Sequence, residues 1–252
     1  MTGSTATTVK APQIWAVIPL KDFVQAKQRL SGVLSVAERR QLFAAMVDDV
    51  LRSFSQSQEL DRVIVLSDDA EACLLAEHYG LDYWRESELQ ASGLNGVVSA
   101  ALKRAASVGC AECMIAHGDL PLLNRAELDR FIQQHRAQPQ ATLSIAPDRR
   151  GGGSNMMLLP AATDFDFCYG ENSFQRHCDK ASALGLDVQV YHAAGSACDI
   201  DELEDMLQLL MPDWVQRASS TLAYLDRSGI ALRLRAVAAG GANTDLQNRK
   251  VQ

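Results

Sequence analysis

The chain lacks several of the devices by which a function is most often read from sequence. No apolar run approaches the roughly 20 residues that would span a bilayer, so no membrane segment is expected. The Thr- and Ser-rich stretch Met1 to Ala11 has no apolar centre of the secretory kind. Neither a G-x-x-x-x-G-K-[ST] loop nor a G-x-G-x-x-G turn occurs, which excludes the two commonest glycine-rich phosphate cradles. An excess of positive charge is also missing. The net charge of −7 argues against a nucleic-acid partner. It leaves small phosphorylated ligands open, because a few local cations suffice for those. Six cysteines stand at 73, 110, 113, 168, 178 and 198, and only Cys110 and Cys113 form a C-x-x-C. Without a second pair this is no zinc site, and Cys113 falls inside an apolar strand as a packed thiol. Reduced thiols and a cytoplasmic location are the expectation.

What is present is a regular alternation of strands and helices. Ile14 to Pro19 is apolar without alternation, as a strand covered on both faces should be. Further strands are expected over Arg62 to Ser67, Leu81 to Glu86, Cys113 to an abrupt end at Asp119, Ala141 to Pro147, Met156 to Leu159 and Val188 to Tyr191. Between them lie helices with start and stop signals. Ser35 and Glu38 form a capping box, Asn124 with Glu127 repeats the pattern, and Gly80 and Gly109 stop helices. Such alternation predicts an α/β fold with a mostly parallel central sheet and helices on both faces. The organisation expected is a disordered lead-in over 1–12, one domain over 13–211 and a partly disordered helical extension over 212–252.

Chemistry gathers at predicted strand ends, where open α/β sheets bind ligands. Asp119 follows the central strand and precedes Pro121. It reads either as a magnesium ligand or as a turn cap. Lys21, Lys27 and Arg29 follow the first strand and suit phosphates by charge rather than by backbone amides. Asp68 follows the second strand and suits ligand contact or, with Glu71, a helix cap. Gly93, Asn95 and Gly96 open a helix and leave its amides approachable. Three glycines before Ser154 and Asn155 offer a close-approach loop with hydroxyl and amide groups, flanked by Arg149 and Arg150. Ser173 reads as a helix N-cap with His177 one turn on. Asp199 and Asp201 share one face if their segment is extended, and Asp201 also suits a cap.

Taken in order, these segments resemble a known family. Val-Ile-Pro-Leu-Lys21 with Ala-Lys27-x-Arg29-Leu, Gly93-Leu-Asn95, Gly118-Asp119-Leu-Pro, Gly-Gly-Ser154-Asn155, Gly170-x-x-Ser173-Phe-x-x-His177 and Asp199-Ile-Asp201 look like the CofC/FbiD guanylyltransferases, over about residues 14 to 207. The resemblance implies a nucleotidyltransferase fold. It implies transfer of GMP from GTP to 2-phospho-L-lactate, phosphoenolpyruvate or 3-phospho-D-glycerate, in the making of the deazaflavin coenzyme F420. It further implies magnesium on Asp119 with Asp199 and Asp201, and GTP phosphates on Lys21, Lys27 and Arg29. The base and ribose would lie near Asp68, Gly93 and Asn95. The acid would be held by Ser154, Gly170 and Ser173, with Asn155 and His177 close by. Lys27, Arg29 and Asp119 would carry the catalysis. Ser154 stands where Thr is expected in many members, and the tail beyond Leu210 is longer than the resemblance requires. A homodimer is compatible with it. The alternatives are a related nucleotidyltransferase acting on molybdopterin or a sugar phosphate, and a non-catalytic nucleotide-binding protein.

Overall fold

A computed structural model describes residues 13–138, 142–214 and 217–237. The expected lead-in and the last residues of the tail lie outside that range. Seven strands form one sheet in the order β3-β2-β1-β4-β6-β5-β7. They are β1 (Ile14–Pro19), β2 (Arg62–Leu66), β3 (Asp82–Trp84), β4 (Glu112–Ala116), β5 (Thr142–Pro147), β6 (Ser154–Pro160) and β7 (Asp187–Val190). Only β6 runs against its neighbours, pairing antiparallel with β4 and β5. It can do so because residues 148–153 return the chain from β5 as a hairpin loop, whereas the parallel strands need helical crossovers.

Strand alternation divides the core between the two faces of the sheet. Ile14, Ala16 and Ile18 of β1 join Val63, Val65, Met114 and Ala116 under α1 (Val36–Ser55), α2 (Ala70–His78) and α4 (Arg125–Arg136). Trp15 and Val17 join Ile64, Leu66, Cys113 and Ile115 under α3 (Gly93–Ser107) and α5 (Ser173–Ala183). The absence of polar alternation in these strands is thus the mark of a sheet buried on both sides. Cys113 is fully buried, a packed thiol as its setting in the strand required.

A third cluster lies at the edge of the helical layer. Leu42 and Met46 of α1 meet Met206 and Leu209 of α6 (Leu203–Leu209) and Leu225 of α7 (Ser219–Arg227), with Ile230 and Leu234 from a further helical stretch over 230–237. The start of α7 is fixed by Asp49 of α1. Its carboxylate accepts from Ser220 N at 2.9 Å, Thr221 N at 2.8 Å and Thr221 Oγ1 at 2.7 Å. Among the described residues no helix is long and apolar enough to cross a membrane.

Candidate active site

The carboxyl ends of β1, β2 and β4 open on one edge of the sheet, where the strand order reverses about β1. Leu20–Ala26 leaves β1 as a pinned loop. The Asp22 carboxylate accepts from Val24 N and Gln25 N, and Asp69 Oδ2 accepts from Phe23 N at 2.8 Å. Phe23 is fully buried against Phe43, with ring centroids 4.8 Å apart. That anchoring delivers Lys27 inward. Lys27 adopts φ 56° and ψ 40°, a left-handed conformation that a side-chain-bearing residue holds only where its surroundings impose it.

The reason is visible at its ammonium. Lys27 Nζ donates to Asp119 Oδ2 at 2.5 Å and to Asp201 Oδ1 at 2.9 Å. Burial works against its charge, but the carboxylates of Asp119 and then Asp201 outweigh that and hold its pKa above the ordinary lysine value. Burial likewise opposes ionisation of Asp119, yet the charge of Lys27 prevails and keeps its carboxyl below the usual range. Asp119 is the third residue past β4, and Gly118 before it leaves room for the buried Leu20 side chain. A Cβ there would come within 2.2 Å of the Leu20 side chain.

The segment 199–201 arrives at the same place. Ile200 N donates to Asp119 O at 3.2 Å, tying the two loops backbone to backbone. Asp199 Oδ1 accepts from Asn155 Nδ2 at 3.1 Å, and the same amide group donates to Ser196 O at 3.0 Å. Burial, and then the charge of Asp119, push the Asp199 carboxyl up to about 6. Three carboxylates from far-apart segments therefore converge, with one ammonium among them. Among the described residues no three acidic, His or Cys groups stand ready-arranged for a metal, and the Lys27 ammonium bonds both Asp119 and Asp201. The donor set nevertheless fits a hard divalent cation: Asp119 Oδ1 is buried without a hydrogen-bond partner, and Asp199 is held close to a like charge.

Beyond this centre lies a polar cleft. Arg29 Nη1 is 3.8 Å from Asp201 and 3.5 Å from Glu202, while Arg149 and Arg150 pair with Asp205 and Glu202 at 2.8 Å each. Lys21 is exposed at the mouth of the β1 loop. On the other side, Ser154 Oγ lies 2.9 Å from His177 Nδ1 and 3.5 Å from Ser173 Oγ. Gly170, at φ 123°, carries the chain into α5, and Gly152 O of the glycine loop accepts from Phe174 N at 3.1 Å.

Several local readings need correction. Ser154 and Asn155 belong to β6 rather than to the loop: Ser154 stands opposite Pro147 in the sheet, and Asn155 O accepts from His117 N at 3.1 Å where the register shifts. The cap of α5 is Asn172 in a left-handed conformation, so Ser173 is the first helical residue. Asp69 rather than Asp68 caps α2, while Asp68 accepts from the amide and hydroxyl of Ser87. Glu202, boxed with Asp205, caps α6 in place of Asp201, whose carboxylate is committed to Lys27. Asn95 spends its side chain on the backbone of Tyr169, and His177 is fully buried with both nitrogens engaged, so neither presents that side chain to a ligand. Sequence reading missed His117, whose Nε2 is buried and unpartnered two residues before Asp119. It also missed Glu127, which is 1 % exposed and accepts from Gly195 N and Ser196 N while pairing with Arg217 at 2.9 Å.

Comparison with known proteins fits this geometry. Residues 14–241 match the family model described as guanylyl transferase CofC like, running past residue 207 and through α7. A phosphoenolpyruvate guanylyltransferase of Roseiflexus castenholzii is 37% identical over 198 residues, covering 78% of this chain and 87% of that protein. One from Conexibacter woesei is 34% identical over 192 residues, covering 76% and 85%. A 2-phospho-L-lactate guanylyltransferase of Methanothermobacter thermautotrophicus is 32% identical over 196 residues, covering 78% and 83%. Among solved structures, a protein from Desulfovibrio desulfuricans assigned as a nucleotide-diphospho-sugar transferase aligns with a TM-score of 0.69 at 16% identity, covering 88% of this chain and 97% of that one. The 4-diphosphocytidyl-2C-methyl-D-erythritol synthase of Anaerococcus prevotii aligns at 0.54 and 14%, covering 82% and 97%. These two likenesses carry the nucleotidyltransferase fold. The extent of the family match and the identity to its curated relatives establish that the chain belongs to the CofC-like guanylyl transferases and is an enzyme of that class.

Proposed function

We propose that this enzyme transfers GMP from GTP to a phosphorylated three-carbon acid, with release of pyrophosphate, at the cleft around Asp119. The observation that carries the proposal is the Lys27 bridge. A buried ammonium joins Asp119 to Asp201 at the ligand-binding edge of the sheet, and Asp119 keeps one buried oxygen unsatisfied. An ammonium shared between two carboxylates can exchange one of them for a phosphate when the nucleotide arrives. The acid is one of 2-phospho-L-lactate, phosphoenolpyruvate and 3-phospho-D-glycerate, and the relatives named for the first two support that class. Its product would serve the making of coenzyme F420.

In this reading the phosphate oxygen of the acid attacks the α-phosphorus of GTP in line, the bond from the α-phosphorus to the bridging oxygen breaks, and pyrophosphate leaves with both electrons. The attacking oxygen is already anionic, so no general base is required and the protein's task is positioning and charge neutralisation. Magnesium held by Asp119, Asp199 and Asp201 would supply positive charge to the reacting phosphate oxygens. Lys27 turns from Asp201 toward the triphosphate, and Arg29 with Lys21 neutralises the departing pyrophosphate. Gly93, at the start of α3, and Asp68 border the nucleoside side, with Asn95 acting there through the backbone of Tyr169. Ser154, Gly170 and Ser173 hold the acid, and Asn155 steadies Asp199. Incubation with GTP, magnesium and each acid in turn, followed by pyrophosphate assay, tests the proposal. Release with at least one acid supports it, and release with none removes it.

A further inference from the structure

His177 is fully buried behind the proposed acid pocket, and no step above uses it. Its ring lies among Phe165, Phe167 and Tyr169, with centroids 5.9, 6.0 and 4.9 Å away. Both ring nitrogens are engaged. The backbone N–H of Cys168 donates to Nε2 at 2.9 Å, and Nδ1 lies 2.9 Å from Ser154 Oγ. A backbone amide can only donate, so Nε2 is bare. A neutral imidazole carries a single proton, which must then sit on Nδ1 and be donated to Ser154. Burial foremost, and then the charge of Arg176, push the His177 pKa down to about 4, so the ring is neutral at physiological pH.

The amide that decides this is itself fixed. Asn95 Oδ1 accepts from Tyr169 N at 2.6 Å and its Nδ2 donates to Tyr169 O at 3.2 Å, while Ser99 Oγ accepts from Phe167 N at 3.1 Å. Helix α3 therefore pins the loop on both sides of Cys168. The consequence reaches two buried hydroxyls. Ser173 donates to Ser154 Oγ at 3.5 Å, and the two groups carry two hydroxyl protons between them. One proton is used within the pair. Neither can be given to His177, whose Nδ1 already donates.

We infer that His177 is a positioning residue that forces the Ser154–Ser173 pair to meet the acceptor substrate as a hydrogen-bond donor, selecting an anionic carboxylate or phosphate oxygen. The inference rests on the assignment of this pocket to the acid. With the opposite ring polarity the spare proton would be drawn back to the imidazole, and the pocket would face the acid with lone pairs.

Two readouts test it. In the wild-type protein, a long-range ¹H–¹⁵N correlation spectrum of the imidazoles is expected to show a His177 ring with Nδ1 protonated and Nε2 bare. In kinetics, His177→Leu removes the donor at similar size, whereas His177→Asn keeps an N–H near the place of Nδ1. The Leu variant is expected to raise KM for the acid about 10-fold, with KM for GTP within about 2-fold of wild type, and the Asn variant to recover most of that loss. A protonated Nε2 overturns the inference, as does a Leu variant with an unchanged acid KM or an Asn variant no better than Leu. Wild-type protein that releases pyrophosphate with none of the acids would instead remove the functional reading, and the spectrum reads the His177 polarity without any turnover.

Discussion

Asp119 is the side chain on which the site turns, and its environment says what replacing it should do. It is held ionised by Lys27 and presents one unsatisfied buried oxygen. Asp119→Asn keeps the shape and removes the charge, and should lower turnover about 10²-fold or more in a pyrophosphate-release assay. Asp199 is the opposite case, a carboxylate its surroundings discourage. With its pKa raised to about 6, it contributes stability that is fully present below the ordinary carboxylate value and is lost as pH rises through about 6. Asp199→Asn abolishes that loss. Relative to wild type, the variant should gain on the order of 1–2 kcal/mol between pH 4 and pH 7.5 in urea unfolding, while activity falls sharply. Equal differences at the two pH values would contradict the assignment. A residue that costs stability where it stands is the pattern expected of one retained for chemistry.

At the scale of elements, the loop carrying Asp199 and Asp201 is set from behind. Glu127, at the start of α4, accepts from Ser196 N at 2.6 Å and Gly195 N at 3.2 Å, and Tyr191 Oη donates to Glu127 O. Gly195 fits because it has no side chain. A Cβ there would lie 2.5 Å from Leu122 O and 2.8 Å from Glu127 Oε2. Gly195→Ala should therefore cost on the order of 2 kcal/mol in thermal or urea unfolding and reduce turnover together with it. These contacts also mark where sequence reading stops. Strands β1, β2 and β4, the caps at Ser35 and Asn124 and the turn at Gly80 are local signals and could be read directly. The competition between neighbours could not. Asp69 took the cap from Asp68, Asn172 from Ser173 and Glu202 from Asp201, each settled by which carboxylate or backbone had a tertiary partner. Glu127 looked like one half of an N-terminal cap signal because its real partners lie 68, 69 and 90 residues away.

For the whole molecule, the surprise is how closely residues 217–237 are joined to the domain. The tail read as an extension of unassigned role, yet Arg217 neutralises Glu127 and the start of α7 rests on Asp49. Asp49→Ala leaves the Ser220 and Thr221 amides without that acceptor. It should destabilise the protein by about 1–3 kcal/mol, seen as a lower urea midpoint with an unchanged slope. Burial already raises the Asp49 carboxyl, so the group is held there by hydrogen bonds rather than by solvent. The residues that make the cleft come from the β1 loop, the loop after β4, β6, α5 and the 195–201 loop, and the sheet order brings them to one edge.

The central claim is that these groups together hand GMP to a small phosphorylated acid. The most direct measurement is mass spectrometry of the products formed from GTP, magnesium and a mixture of the three acids. The account predicts GMP joined through its phosphate to the phosphate of one of the acids, with pyrophosphate in equal amount, and no such product when the acids are omitted. Intact GTP, or pyrophosphate released at the same rate with no acid present, would contradict it.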